Sequence, residues 1–143
     1  MEYMWAAMGT TSDSMATDIV GGVNVGGHAK TFAGSNGSNG VGNYAWTSEN
    51  TSTTQPVGSK SANELGLCDL TGYVEEWCWD WYAASYPIGA LTNYKGPASG
   101  TIRIARCGDW VNQAQYATIA LHDFGAQTPV LVSRQYGFRV VWP

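Results

Sequence analysis

The three cysteines, at positions 68, 78 and 107, carry the most reactive side chains in this sequence. They form no C-x-x-C pair, and an odd number leaves at least one free thiol. The spacing of Cys68 and Cys78 permits a disulfide between them. Because the chain is not rich in cysteine, we instead expect both to be buried as small apolar side chains.

Histidine and aspartate supply the other side chains that could take part in catalysis. The chain has two histidines, His28 and His122, and Asp123 follows the second. A Ser-His-Asp triad can be composed on paper from His122 and Asp123, but no nucleophile motif accompanies them. Adjacent loop residues usually point apart, so we expect no triad.

The elements that must position these residues include an aromatic and acidic run at 63–82. Its alternation predicts a strand at 74–82, with Trp77, Trp79 and Trp81 on one face, packed in the core. The opposite face then carries four other side chains: Glu76, Cys78, Asp80 and Tyr82.

Shorter elements flank this strand. Residues 1–9 predict a short helix that Gly9 ends, and residues 101–106 and 136–142 predict two further strands. Between these two strands lies a segment with weak periodicity, 107–135. Long loop-rich segments held between strands often carry binding function, so we expect the ligand-binding residues there.

Composition limits the class of protein. A chain of 143 residues supports one domain with one core. Its 18 glycines and 13% charged residues favour turns and short strands over long helices. The net charge of -4 argues against a nucleic-acid partner, because phosphate binding needs clustered basic residues. The sequence predicts no membrane span and no signal peptide, and we expect any targeting segment to precede these residues.

The run from Asn63 to Trp81 resembles the signature of the formylglycine-generating (sulfatase-modifying factor) family, N-x-x-G-L-x-D-x-x-G-N-V-x-E-W followed by D-W. The matching residues are Asn63, Gly66, Leu67, Asp69, Gly72, Val74, Glu76, Trp77, Asp80 and Trp81. Further landmarks follow in family order: Ala6, Ala7, Gly9, Asn43, Tyr44, 56–58, Gly96, Pro97, Gly100, 106–110 and 137–141. The resemblance implies an α+β, C-type-lectin-like fold, rich in loops, with short antiparallel strands and few helices. We expect a single domain at 1–143, short at its N-terminus relative to the family.

The family resemblance also implies an enzymatic centre, which this sequence does not keep. Family enzymes oxidise a substrate cysteine with a copper-bound cysteine pair placed just after an R-G-G-S motif, since soft thiolates hold Cu(I). The motif corresponds to 106–110 here, with Cys107 on a glycine position, and the pair would fall at Asn112 and Ala117. A second family branch holds iron with more histidines than this chain contains. We therefore expect no enzymatic activity.

Calcium is the remaining cofactor that the resemblance suggests. Ca²⁺ takes about six or more oxygen ligands, and Glu76 with carbonyls near Gly72 and Val74 would contribute to such a site. Tyr73 replaces an asparagine of the family signature and removes one oxygen ligand. We expect no cofactor, with calcium at Glu76 as the alternative.

Residues 107–136 mix family-like positions with side chains of no consistent chemistry. This mixture resembles the C-terminal variable region of proteins that diversity-generating retroelements mutate, many of which have this fold. A rigid scaffold that displays exchangeable side chains also loses little entropy on binding. The residues expected to form the ligand-binding surface are Asp109, Trp110, Val111, Asn112, Tyr116, Leu121, His122, Asp123, Phe124, Gly125, Val130, Leu131, Ser133 and Tyr136.

The function expected from these observations is that of a non-catalytic, receptor-like or adhesin-like domain. About a dozen exposed side chains suit a protein or other macromolecule better than a small ligand in a deep pocket. We expect no nucleic-acid partner, a monomer, and a location at the cell surface or outside the cell. The alternative is a divergent oxidoreductase of the same family with an altered metal site, whose chemistry would use Cys107, His122 and Asp123 or a metal that the sequence does not reveal.

Overall fold

The computed structural model describes residues 2–9, 19–20, 23–24, 30–35, 40–85, 88, 94–121 and 128–140. Within these ranges the chain forms one α-helix, α1 (Glu2–Met8), and two 3₁₀ turns, Val41–Asn43 and Ala114–Tyr116. Its strands are β1 (Ile19–Val20), β2 (Val23–Asn24), β3 (Glu75–Trp81), β4 (Arg103–Arg106) and β5 (Tyr136–Gly137). The prediction of a loop-rich α+β fold with few helices is confirmed.

Helix α1 closes one side of the core. Gly9 ends it with φ +60°, a conformation that glycine adopts without steric cost, as predicted. Asn63 Nδ2 donates to the carbonyl of Ala6 at 2.7 Å, which satisfies one of the free carbonyls in the last turn. Ala7 of the helix forms the core cluster with three buried residues from distant parts of the sequence: Ala33, Leu70 and Ile119.

The sheet that positions the candidate site has the order β4-β3-β5. β3 and β4 are antiparallel, with Glu76 opposite Arg106 and Trp77 opposite Ala105. β3 and β5 are parallel and pair over two positions. The strand predicted at 136–142 is therefore too long, because residues 138–140 form no regular structure and residues 141–142 lie outside the described ranges.

The prediction that the three tryptophans of β3 share a core face is wrong. Glu76 is the buried residue of this strand, whereas the Trp79 side chain is 80% exposed. The pairing register with β4 shifts between Trp77 and Trp81, and an irregularity of this kind interrupts the alternation of faces beyond Trp77. Arg103 lies over the rings of Trp81 and Trp79, at 3.5 Å and 4.8 Å from the ring centroids.

Candidate functional site

The chain leaves β4 through a tight turn at Cys107 and Gly108. Their φ angles are +92° and +69°, so both residues occupy the region that favours glycine. A Cβ atom on Gly108 would lie 2.5 Å from the carbonyl oxygen of Tyr116 and 2.7 Å from Cα of Ala117. The absence of a side chain at position 108 thus lets the turn pack directly on the 3₁₀ turn that follows.

Asp109 organises the loop that this turn begins. Its side chain is nearly fully buried, and Oδ1 accepts hydrogen bonds at 2.9 Å from the backbone amides of Val111 and Asn112 and from Asn112 Nδ2. Oδ2 accepts a fourth bond, at 2.7 Å, from Nε2 of Gln135. One buried carboxylate therefore joins the loop after β4 to the segment that enters β5.

Trp110, the next residue of this loop, is also buried. It is 7% exposed, its backbone amide donates to the carbonyl of Tyr73 at 3.0 Å, and the Arg134 guanidinium lies 5.3 Å from its ring centroid. Burial of Asp109 and Trp110 corrects the expectation that their side chains form the ligand-binding surface. Both residues instead hold the loop through hydrogen bonds.

Other predicted site residues are accessible. Val111, Tyr116 and Leu131 are 45%, 48% and 40% exposed, and Val130 is 83% exposed. Four more are intermediate in exposure: Asn112, Leu121, Ser133 and Tyr136. Tyr136 stacks on Trp77, with 5.1 Å between ring centroids, which ties it to β3. The remaining predicted residues, His122, Asp123, Phe124 and Gly125, lie outside the described ranges.

A cavity of about 230 Å³ lies where β3, β4 and this loop meet. Its lining brings together three predicted site residues, Asn112, Tyr116 and Leu121, with the charged residues Glu75 and Arg106. Glu75 and Arg106 were not predicted as lining residues. The sequence did hold a signal for them, since Glu75 lies near the start of one predicted strand and Arg106 ends another. The end of a strand adjoins the loops that form binding sites.

Arg106 fixes the far wall of this cavity. It is 6% exposed, and its Nη1 lies 3.4, 3.1 and 3.1 Å from the carbonyl oxygens of Ile119, Ala120 and Leu121. A guanidinium that donates to successive carbonyls compensates their buried dipoles and holds the backbone in place. The loop from 107 to 121 is thus held by Asp109 at its start and by Arg106 at its end.

Cys107 is buried against backbone oxygens. Its Sγ lies 2.9 Å from the carbonyl oxygen of Gly72 and 3.3 Å from that of Asp69. Burial raises the pKa of this thiol well above its usual value, and the charge of Glu76 adds to the rise. A thiol with a raised pKa is a poor nucleophile and a poor metal ligand at neutral pH.

The other cysteines are also free thiols, so the alternative of a Cys68 to Cys78 disulfide is not formed. Both side chains are intermediate in exposure, less buried than expected. Burial raises the pKa of Cys78 to about 11. Of the two positions where the resemblance predicts the family's cysteine pair, Asn112 donates to Asp109 and Ala117 is buried.

The residues around Glu76 do not fit a calcium ion. Nε of Arg139 lies 3.2 and 3.1 Å from the two carboxylate oxygens of Glu76, and its Nη2 donates to Oε1 at 2.8 Å. A cation would have to displace this guanidinium and its charge. Among the described residues, no three His, Cys, Asp or Glu side chains come together in a way that could hold a metal ion.

No helix within the described ranges could span a membrane, because none is both long enough and apolar enough to cross a bilayer.

Comparison with known proteins places these features in a family context. A family profile described as "Sulfatase-modifying factor enzyme 1-like domain" matches residues 1–143. The chain is 37% identical over 82 residues to "Chaperone protein LppX" of Paenibacillus barcinonensis, covering 56% of this chain and 26% of that protein. It is 40% identical over 91 residues to "Serine/threonine-protein kinase pkn1" of Chlamydia caviae, covering 62% of this chain and 14% of the kinase. The chain thus spans about a quarter or less of these relatives.

The fold is similar to a solved structure, that of Treponema denticola variable protein 1. The TM-score is 0.76 and the sequences are 32% identical. The match covers 96% of this chain and 43% of that one.

Proposed function

The chain belongs to the family of sulfatase-modifying factor enzyme 1-like domains, and from this premise we propose that it is a non-catalytic domain that binds ligands through a diversified surface. Family membership and the similarity in fold confirm the resemblance inferred from the sequence, including the C-type-lectin-like fold. The similarity to a protein named as variable supports the diversified surface.

The division of the loop after β4 into a buried and an exposed part carries this proposal. Asp109, Trp110 and Ala114 are buried, whereas Val111 and Tyr116, which alternate with them, are about half exposed. The buried residues make the contacts that hold the backbone, so side chains at the exposed positions can change without removing those contacts. A recognition surface whose side chains vary from one protein variant to another needs such a division between residues that hold the backbone and residues that are displayed.

The ligand we propose is a protein or another macromolecule, met at the cell surface or outside the cell. Accessible apolar and aromatic side chains on a fixed backbone supply the kind of anchor that dominates macromolecular interfaces. Tyr116 and Leu131 are the best placed of these, since each is accessible and lies within a turn that has internal hydrogen bonds.

Sequencing the locus that encodes this chain tests the proposal. We expect a reverse transcriptase gene and a near-copy of the segment encoding residues 107–141, differing mainly where the copy has adenine. The segment encoding residues 63–82 is the matched control and should have no such copy. Absence of both the reverse transcriptase and the copy would contradict diversification.

An oxidoreductase with an altered metal site is the competing function. The burial and raised pKa of Cys107 argue against this thiol as a nucleophile or copper ligand. Metal analysis of the purified protein separates the two functions. We expect neither copper nor iron in stoichiometric amount, and one metal per chain would favour the enzyme.

A further inference from the structure

We propose that Arg134 gives the ligand-binding surface a preference for a carboxylate, and that the partner is a protein whose aspartate or glutamate side chain pairs with this guanidinium next to an apolar residue. The inference rests on the proposed function, since it assigns a chemical class to the group that one part of the proposed surface meets. Arg134 lies in the segment 107–136 but was not among the residues predicted to contact a ligand.

The guanidinium of Arg134 is accessible and uncommitted. Arg134 is exposed, and among the described residues no carboxylate forms an ion pair with it. Arg103, Arg106 and Arg139, by contrast, each donate hydrogen bonds to backbone carbonyls of the scaffold. The charge of Arg134 is therefore the one that these four arginines leave available to a partner.

The carboxylates close to Arg134 in the fold are already used. Asp109 is the only acidic residue that the structure describes within 107–136, and it is 2% exposed and accepts four hydrogen bonds. Glu75, opposite Tyr136 in the sheet, is engaged in another interaction and keeps one carboxylate oxygen buried. The accessible charge of this part of the surface is thus positive, although the chain as a whole carries a net charge of -4.

The backbone around Arg134 is held by its neighbours on both sides. The hydroxyl of Ser133 accepts a hydrogen bond from the amide of Gln135 at 3.2 Å, and the Gln135 side chain donates to the buried Asp109 at 2.7 Å. The guanidinium lies 5.3 Å from the ring centroid of Trp110, which is 7% exposed. An arginine that rests on a buried indole loses less freedom on binding than one that extends into water.

Exposed apolar side chains accompany this guanidinium. Val130 and Val132, four and two residues before Arg134, are 83% and 95% exposed, and Leu131 between them is 40% exposed. A guanidinium can form two parallel hydrogen bonds with one carboxylate, and apolar side chains exposed side by side are typical of interaction surfaces. The combination suits a protein segment with an acidic residue between apolar ones better than a free anion, because a free anion leaves the valines uncovered.

Titration of the ¹⁵N-labelled protein with three acetylated tripeptide amides tests this assignment. Their sequences are Leu-Glu-Leu, the neutral Leu-Gln-Leu of nearly the same shape, and the cationic Leu-Lys-Leu. We expect the glutamate peptide to shift the amide signals of Val132 and Arg134 and the indole N–H signal of Trp110, and to bind at least fivefold more tightly than the other two. Equal or tighter binding of the lysine peptide would overturn the assignment, and so would the absence of shifts with the glutamate peptide.

Matched variants identify the group responsible. Arg134→Gln should weaken binding of the glutamate peptide at least fivefold, whereas Lys95→Gln, which removes the same charge at another exposed position, should leave it within twofold. Arg134→Lys keeps the charge without the paired N–H groups and should retain part of the binding. Equal losses in Arg134→Gln and Lys95→Gln would mean that net charge attracts the peptide and would contradict a specific role for Arg134.

Vesicles of phosphatidylcholine and phosphatidylserine distinguish a protein partner from a lipid surface. Anionic lipid attracts clusters of basic residues, whereas the basic residues described in 128–140 are Arg134 and Arg139, and Arg139 is paired with Glu76. We expect no co-sedimentation, and co-sedimentation that Arg134→Gln abolishes would overturn the assignment to a protein. A locus that shows diversification together with a surface that ignores the glutamate peptide would reject this inference alone and leave the proposed function intact.

Discussion

The turn that follows β4 and the turn at residues 128–132 belong to one predicted variable segment, yet they are held in opposite ways. In the first, the buried Asp109 accepts four hydrogen bonds and Gly108 packs against the next turn. In the second, Leu131 donates to the carbonyl of Thr128, while Val130 and Val132 are 83% and 95% exposed. The contacts that hold the backbone are thus concentrated at a few buried positions, which leaves the exposed side chains available for the recognition we propose.

Gly108→Ala should have the largest effect on stability. The new Cβ would lie 2.5 Å from the Tyr116 carbonyl oxygen in a backbone conformation that already disfavours alanine, and we expect a loss of about 4 kcal/mol or more. Gly58 has nearly the same φ, +68°, with nothing within 4 Å of the added atom. Gly58→Ala should therefore cost only about 1 to 2 kcal/mol in urea unfolding. Equal costs would mean that the close approach at Gly108 does not constrain the fold.

Asp109→Ala should follow in size. The substitution leaves the amides of Val111, Asn112 and Gln135 without their acceptor, and we expect a loss of about 3 kcal/mol. Asp109→Asn keeps one acceptor oxygen and should lose less. A loss below about 1 kcal/mol for Asp109→Ala, measured by urea unfolding, would show that the loop does not depend on this carboxylate.

Trp77→Ala and Trp79→Ala test the contrast between buried and exposed positions on one strand. Trp77 is half-buried and stacks on Tyr136, so its loss should cost about 2 kcal/mol, less than the roughly 3 to 5 kcal/mol of a fully buried tryptophan. Trp79 is 80% exposed and should cost under about 1 kcal/mol. Thermal and urea unfolding of the two variants give the comparison, and the reverse order would restore the predicted tryptophan core face.

Alkaline pH should lower the stability of the folded protein. Burial raises the pKa of Tyr3, Cys78 and Cys107, that of Cys78 from 9.0 to about 11, so the folded state favours their neutral forms. Their contribution to stability is complete below the unfolded pKa and is lost as pH rises through the folded one. We expect the urea midpoint to fall between pH 9 and 11, and less steeply in Cys78→Ala than in the matched control Cys68→Ala. A midpoint that stays constant over this range would contradict the expectation.

Replacing the accessible side chains should have the smallest effect. Val111→Thr, Tyr116→Ser and Leu131→Thr together should lower the unfolding free energy by under about 0.5 kcal/mol per site, because none supports the backbone. Differential scanning calorimetry should show a melting temperature within a few degrees of the unmodified chain. Unfolding of the triple variant at room temperature would disprove the idea of a display surface.

Much of the fold followed from local signals in the sequence. The glycine after α1, the alternation around Trp77 and the family signature predicted the helix, the central strand and the fold class, and the structure confirms each. The prediction of a single domain at 1–143 stays a prediction. The final strand was overestimated because Phe138, Val140 and their neighbours have the alternation of a strand, but β5 extends only over Tyr136–Gly137.

The candidate site was predicted less completely. Asn112, Tyr116 and Leu121 were predicted and do line one cavity, while Glu75 and Arg106 were not predicted because they lie in different strands. Asp109 was predicted at the surface and is buried. The sequence shows that Asp109 is a polar residue of a loop, but it does not show which groups donate to its carboxylate. One of these donors belongs to Gln135, 26 residues further along the chain.

The sequence by itself determined the family and the loop-rich fold, because these depend on residue identity in a fixed order. Only the tertiary structure decided which side chains of the loop support the backbone and which are displayed. Burial and hydrogen bonding depend on contacts between residues far apart in the chain. The register shift of β3 against β4, between Trp77 and Trp81, is likewise a feature of strand pairing that residue order alone does not show.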